Sequence, residues 1–266
     1  MPYIKAPSGI EWYFDLDGQG DTLLFIHGWG VDRRIWRQQT KYFSHSFKVM
    51  AIDLPGHGES SWIKVSFEVM AGDLKFILES QDIRQWTVVA SSVGGLLALR
   101  LYDVFTQGIK KISFCGTLAK FSKSDDYPFG LDVDEIRKFA TNLKIAYPSM
   151  VNIFFRSLFT QEERETRRFK WIQKFRRAEI MPLRDALLEY LDILEVEDLR
   201  EAIRKVKVPL QFINGTDDEI CDLSSVEHLK TLVPQARFDF FKKCGHFPFL
   251  SKPYEFNAVL EEFLKS

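Results

Sequence analysis

A serine nucleophile, a histidine base and a carboxylate that orients the base together cleave acyl bonds. This sequence presents those residue types in the order serine, aspartate, histidine. The serine stands in Val88-Val89-Ala90-Ser91-Ser92-Val93-Gly94-Gly95, followed by the helix-forming Leu96-Leu97-Ala98-Leu99-Arg100. The pattern predicts a strand, a sharp turn and a helix, with a serine at the apex. Such a turn strains the apical backbone and leaves room only for small residues two positions to either side. Ser92 meets this demand with Ala90 and Gly94, whereas Ser91 would put the β-branched Val93 in the crowded place. Ser92 is therefore the expected nucleophile, with the positive end of the following helix pointed at it.

Candidate acids follow an apolar run in Phe212-Ile213-Asn214-Gly215-Thr216-Asp217-Asp218, where a strand ends in a turn. Either aspartate can orient an imidazole while the other bonds the turn. His246 lies in a Gly-His loop between the last expected strand and a helix-like stretch from Pro253 to Leu264. His45 suits a polar helix end, His57 shapes a Pro-Gly-His-Gly turn and His228 falls on an expected surface helix. The oxyanion of an acyl-transfer intermediate needs backbone donors. The Val93 N–H, at a helix start, is one candidate; the turn His27-Gly28-Trp29-Gly30 supplies another, the Trp29 N–H. There is no Gly-x-Gly-x-x-Gly, since Arg33 holds the third position, no Gly-Lys-Ser/Thr phosphate loop and no histidine pair at zinc spacing. The expected chemistry is hydrolysis with no cofactor and no metal.

Strand ends must bring these groups together. Thr22–Ile26, Phe47–Ile52, Trp86–Ala90 and Ile109–Cys115 read as short buried strands, with a helical period over Phe67–Leu78. Val208–Ile213 and Ala236–Phe241 resume the rhythm later. Buried strands alternating with helices predict an α/β fold with a mostly parallel central sheet flanked by helices. From about 118 to 190 no buried strand is evident, and apolar residues fall at helical spacing, as in Phe139, Leu143 and Tyr147. This predicts an inserted helical lid over 118–190, with 1–117 and 191–266 forming the core. Tyr13 to Asp21 reads as a hairpin-like edge with a glycine-rich turn.

At 266 residues the chain has room for one large domain with an insertion. A 45% hydrophobic and 27% charged composition is that of a soluble globular chain, and a net charge of -1 gives no global attraction to nucleic acid or membrane. Cys115, Cys221 and Cys244 are odd in number and widely spaced, which suggests no disulfide framework and a reducing, cytoplasmic setting. No signal peptide or membrane-length apolar run is visible. A monomer is expected.

Taken together, His27-Gly28-Trp29-Gly30, Asp53-Leu54-Pro55-Gly56-His57-Gly58-Glu59-Ser60, Ser91-Ser92-Val93-Gly94-Gly95, Gly215-Thr216-Asp217-Asp218 and Gly245-His246 resemble the α/β-hydrolase superfamily over nearly the whole chain. The resemblance places the acid three residues after the strand-end glycine, selecting Asp218; Cys221 stands where a proline is common. Gly28-Trp29-Gly30-Val31-Asp32 with Trp36, the stretch from Leu187 to Val208-Pro209, and Cys244 to Leu250 are most similar to the pimeloyl-[acyl-carrier protein] methyl ester esterases of biotin synthesis. That likeness implies a serine carboxylesterase that frees a carboxylate and methanol from the pimeloyl ester and also cleaves short acyl esters. General carboxylesterases, thioesterases, carbon–carbon hydrolases and peptidases share the same triad, and a non-catalytic hydrolase-fold interaction protein is the alternative of another class.

Two expectations concern the lid. Trp29, Val93 and one or two lid aromatics should line an acyl pocket; the resemblance singles out Phe154 or Phe155. From Arg156 to Arg177, eight arginines and lysines stand against Glu162, Glu163 and Glu165. Arg164, Arg168 and the pair Lys170–Lys174 recur at i,i+4 and could share one helical face. The resemblance implies an acidic acyl-carrier protein as partner, docked on Arg164, Arg167 and Arg168, with Arg167 near a family lid arginine.

Overall fold

Eight strands form one sheet in the computed structural model, which describes residues 3–176 and 181–266, the side chains of 175 and 176 excepted. They are β1 (Tyr3–Lys5), β2 (Glu11–Asp17), β3 (Thr22–Ile26), β4 (Lys48–Ile52), β5 (Trp86–Ser91), β6 (Ile109–Cys115), β7 (Leu210–Gly215) and β8 (Arg237–Phe241). Their order is β1-β2-β4-β3-β5-β6-β7-β8. From β4 to β8 all pairs are parallel; β2 runs antiparallel to β4 and to β1.

Alternation along the strands sorts side chains into two apolar layers. Leu24, Ile26, Val88 and Ala90 face the helices Phe67–Ser80 and Val93–Val104, burying Met70, Leu74, Leu97 and Leu101. Leu23, Phe25 and Val89 face the opposite way, towards the helices Arg37–Phe43 and Pro253–Lys265 with Phe43, Phe256 and Leu260. A strand apolar on both faces needs cover on both, which is why β3 and β5 are central and have no exposed residue.

The expected hairpin over Tyr13 to Asp21 is not formed. β2 leaves the turn without pairing β3 and lies against the far side of β4, with Phe14 opposite Ile52. The turn marks a reversal but not a partner. β3, buried throughout, takes the central slot between β4 and β5, while β2, buried mainly at Trp12 and Phe14, stays outside. The true edge hairpin is β1 with β2.

Between β6 and β7 lies the helical insertion: Val133–Ala146, Ser149–Ser157, Gln161–Glu165, Arg167–Arg176 and Arg184–Val196, then the short Arg200–Arg204. The stretch from Arg164 to Lys174 is not one helix. Thr166 is extended (φ −72°, ψ 154°), so Arg164 and Arg168 sit on different helices and share no i,i+4 face. Arg177, counted in the basic stretch, lies outside the described residues. Among the described residues no helix is long and apolar enough to cross a membrane.

Candidate active site

Ser92 caps β5 at φ 54°, ψ −126°, a left-handed conformation that L-residues rarely adopt. Its N–H donates to Cys115 O at 3.0 Å and its carbonyl accepts the Thr117 hydroxyl at 3.1 Å, so the end of β6 holds the strained turn from both sides. The helix Val93–Val104 starts directly after it. That helix starts close against the end of the neighbouring strand β3: a Cβ at Gly94 would come within 2.3 Å of His27 O, which is why the position two after the serine must be small. Ser91 ends β5 and is fully buried, whereas Ser92 reaches the surface at 8% exposure.

Asp218 and His246 arrive from the neighbouring strand ends. His246 Nδ1 and Asp218 Oδ2 are 2.8 Å apart and both residues are buried. Asp218 Oδ1 accepts the N–H groups of Ile220 (2.8 Å) and Cys221 (3.0 Å). Asp217 is exposed and takes the Thr216 hydroxyl instead. With Nδ1 on the acid, Nε2 is the ring nitrogen directed away from it. Cys221, Asp218 and His246 also place one ligand-type atom each within 4.8 Å of one another. A cation there would have to displace the proton already shared by His246 and Asp218.

The turn after β3 is built by two further histidines. His27 Nε2 accepts the Leu54 N–H (2.9 Å) while Nδ1 faces Gly28 O (2.8 Å). His57 Nε2 accepts the Gly30 N–H (3.3 Å) while Nδ1 faces Pro55 O (3.2 Å). Each ring therefore carries its single proton on Nδ1. Burial drives their pKa values down, to about 4 for His27 and about 3 for His57. Beside them Asp53 accepts from Arg33 N–H (2.8 Å), Arg33 Nη1 (2.6 Å) and Glu59 N–H (2.9 Å), and Arg33 also reaches Asp15 and Glu59. Sequence reasoning placed His27 and His57 in turns but gave Arg33 and Asp53 no part in holding them. Their function lies in pairing across segments, which spacing does not reveal.

The turn holds Trp29 against the lid. Its indole N–H donates to Leu187 O at 3.0 Å, and its ring packs edge-on to Phe154 (4.9 Å) and Phe139 (5.6 Å). Phe155, one residue on, turns the other way and packs on Phe159 (5.3 Å) and Phe247 (6.2 Å). The structure thus brings Phe154 to Trp29 and sets Phe155 in the layer beneath the histidine loop.

Of the expected docking arginines, Arg167 is exposed. Arg164 donates to Thr160 O at 3.2 Å. Arg168 donates to Leu250 O at 2.7 Å through Nε and to Gln38 Oε1 through Nη2, and stacks over Trp171.

Residues 21–253 match the family model for the alpha/beta hydrolase fold, and the chain belongs to that family. The chain is 26% identical over 249 residues to a pimeloyl-[acyl-carrier protein] methyl ester esterase from Nitrosomonas europaea, covering 94% of this chain and 98% of that protein. Among solved structures, it matches an esterase from Exiguobacterium antarcticum with TM-score 0.92 at 23% identity, over 99% of both chains. An enol-lactonase from Burkholderia xenovorans matches with TM-score 0.88 at 20% identity over 100% of both.

Proposed function

We propose that this protein is a serine esterase that hydrolyses carboxylic esters through an acyl-enzyme at Ser92. The observations that carry the reading are the strained Ser92, bonded to Cys115 at the end of β6, and a buried His246–Asp218 pair whose imidazole packs against Gly116 at that same strand end. His246 takes the Ser92 proton through Nε2 as the hydroxyl attacks the ester carbonyl. Asp218, fixed by two backbone N–H groups, holds the ring and stabilises the imidazolium. The N–H of Val93, in a helix's first turn, and that of Trp29 receive the oxyanion. His246 then gives its proton to the departing alcohol, and a water activated by the same ring releases the acid. Residues 118–190 serve as the lid over a core of 1–117 and 191–266. Trp29, Val93 and Phe154 line the acyl pocket, with Phe155 supporting from behind. The test is hydrolysis of p-nitrophenyl acetate and butyrate. Ser92→Ala should lower kcat at least about a thousandfold with the fold intact. A Ser92→Ala protein as fast as the wild type refutes the reading.

A finer reading takes the methyl ester of a pimeloyl acyl-carrier protein as substrate. It is favoured by the relative from Nitrosomonas europaea and by the exposed Arg156, Arg167, Lys170 and Lys174, which would steer an acidic carrier. Carrier-linked ester should then be hydrolysed faster than free methyl ester, by a margin that shrinks with salt and in an Arg167→Glu/Lys170→Glu variant. Equal rates at every salt concentration remove the carrier and leave the general esterase.

A further inference from the structure

The carboxylate of Glu163 is buried within the lid and has no part in the acyl-transfer scheme above. Its local work is a capping box at the helix Gln161–Glu165. Oε2 accepts the Thr160 N–H at 2.7 Å, and Thr160 Oγ1 accepts the Glu163 N–H at 3.1 Å. A capping box is satisfied at the protein surface and gives no reason to bury a charge. Here the same carboxylate crosses from the lid to the loop that carries the base. Oε2 also accepts the Gly245 N–H at 3.0 Å, and Oε1 accepts the Cys244 thiol at 3.2 Å. Burial and the neighbouring carboxylate push that thiol's pKa up, so it stays protonated and donates. One residue further, the His246 N–H donates to Leu158 O at 2.8 Å. Three consecutive residues, Cys244, Gly245 and His246, therefore hang from the lid segment between Leu158 and Glu163. Gly245 is what allows the approach: a Cβ there would lie 2.5 Å from Leu158 O and 3.1 Å from Glu163 Oε2.

We propose that Glu163 is a positioning residue for His246, fixing the Cys244–Gly245 peptide and through it the ring's distance from both Ser92 and Asp218. This rests on the reading of His246 as the base. A buried carboxylate with three donors is a stiff anchor, because charge-assisted hydrogen bonds are short and roughly twice as strong as neutral ones. Removing it frees the loop on one side only, since the Leu158 carbonyl and the Asp218 bond remain. The consequence is a base displaced by a fraction of an ångström, and about 1 Å of misplacement costs on the order of a hundredfold in rate. Substrate contacts are untouched, so the loss falls on kcat and not on KM.

The experiment compares Glu163→Ala, Glu163→Asp, Glu163→Gln and Thr160→Ala on p-nitrophenyl butyrate, with Ser92→Ala and His246→Ala as references. Glu163→Ala should lose roughly tenfold to a hundredfold in kcat with KM within about twofold. Glu163→Asp keeps the charge but falls one methylene short of Gly245, and should lose a similar factor. Glu163→Gln retains an acceptor oxygen for the Thr160 and Gly245 N–H groups and should recover most of the rate. Thr160→Ala removes half of the capping box without touching the bridge, so it should lower the melting temperature and leave kcat unchanged. A second readout is the downfield proton resonance of the His246–Asp218 hydrogen bond. It should broaden or shift in Glu163→Ala and Glu163→Asp but not in Thr160→Ala. Folded Glu163→Asp with wild-type kcat and an unmoved resonance overturns the proposal, even if Glu163→Ala does not fold. Equal kcat losses in Thr160→Ala and Glu163→Ala overturn it too, by reducing Glu163 to a helix cap. If His246→Ala and Ser92→Ala are themselves fully active, it is the triad reading that fails, whatever Glu163 does.

Discussion

Replacing Gly116 with alanine would set a methyl group against the base. Gly116 follows β6 at φ +57°, its N–H bonded to Ile213 O at 3.1 Å. A Cβ there would lie 2.8 Å from His246 Cε1, 2.9 Å from Nδ1 and 3.1 Å from His246 O. Carbon atoms in ordinary contact stand about 3.5 Å apart or more, so the ring must retreat by roughly 0.7 Å. It cannot do so freely. Nδ1 is held by Asp218 at 2.8 Å and the main-chain N–H by Leu158 O at 2.8 Å. If about 1 Å of misplacement costs on the order of a hundredfold, a shift of this size should cost kcat roughly tenfold. The left-handed backbone adds about 1–2 kcal/mol of destabilisation, some 2–8 °C in melting temperature at this chain length. Gly9→Ala is the control: φ is +91°, but the nearest atom to its Cβ is Ile63 Cδ1 at an ordinary 3.4 Å. Steady-state kinetics on p-nitrophenyl butyrate with thermal unfolding of both variants decides the matter. Gly116→Ala should lose both rate and stability, and Gly9→Ala stability alone. Wild-type kcat in folded Gly116→Ala, or an equal kcat loss in Gly9→Ala, would refute the argument that His246 placement limits the rate.

Three further outcomes can be checked. Phe154→Ala removes the ring packed 4.9 Å from Trp29 and should shift the chain-length profile of kcat/KM towards longer acyl groups; an unchanged profile counts against Phe154 as pocket wall. Phe155→Ala, at a buried site packed on Phe159 and Phe247, should instead cost about 3–5 kcal/mol of stability with the profile kept. His57 is held neutral in the fold with its pKa near about 3, against 6.5 when unfolded. Between those values the unfolded chain binds a proton that the native one refuses, so stability is full above pH 6.5 and is lost as the pH falls. In urea unfolding from pH 7 to 4.5, His57→Gln should show a shallower slope than the wild type, by up to about 1.4 kcal/mol per pH unit; parallel slopes refute the neutral assignment. His27, at about 4, contributes with the same sign in both proteins and so leaves a residual slope.

The sequence by itself determined the strained serine turn, because the demand for small residues at Ala90 and Gly94 is met by neighbours in the chain. It likewise showed the buried strands β3 to β7, whose apolar runs need no distant partner to be recognised, and the helical character of the lid. Partner choice was decided only by tertiary structure. The turn after β2 signalled a reversal, yet β2 pairs β4, because the doubly buried β3 competes better for the centre of the sheet. The arginine spacing around Arg164 and Arg168 suggested one helix face, but the extended Thr166 divides it, and Arg168 turns back to bond Gln38 and Leu250. Nothing near Glu163 in the chain announces its bond to Gly245, 82 residues away. Local backbone demands are written in adjacent residues. Which buried donor meets which acceptor depends on segments far apart in sequence, and is fixed only when the sheet and the lid have packed.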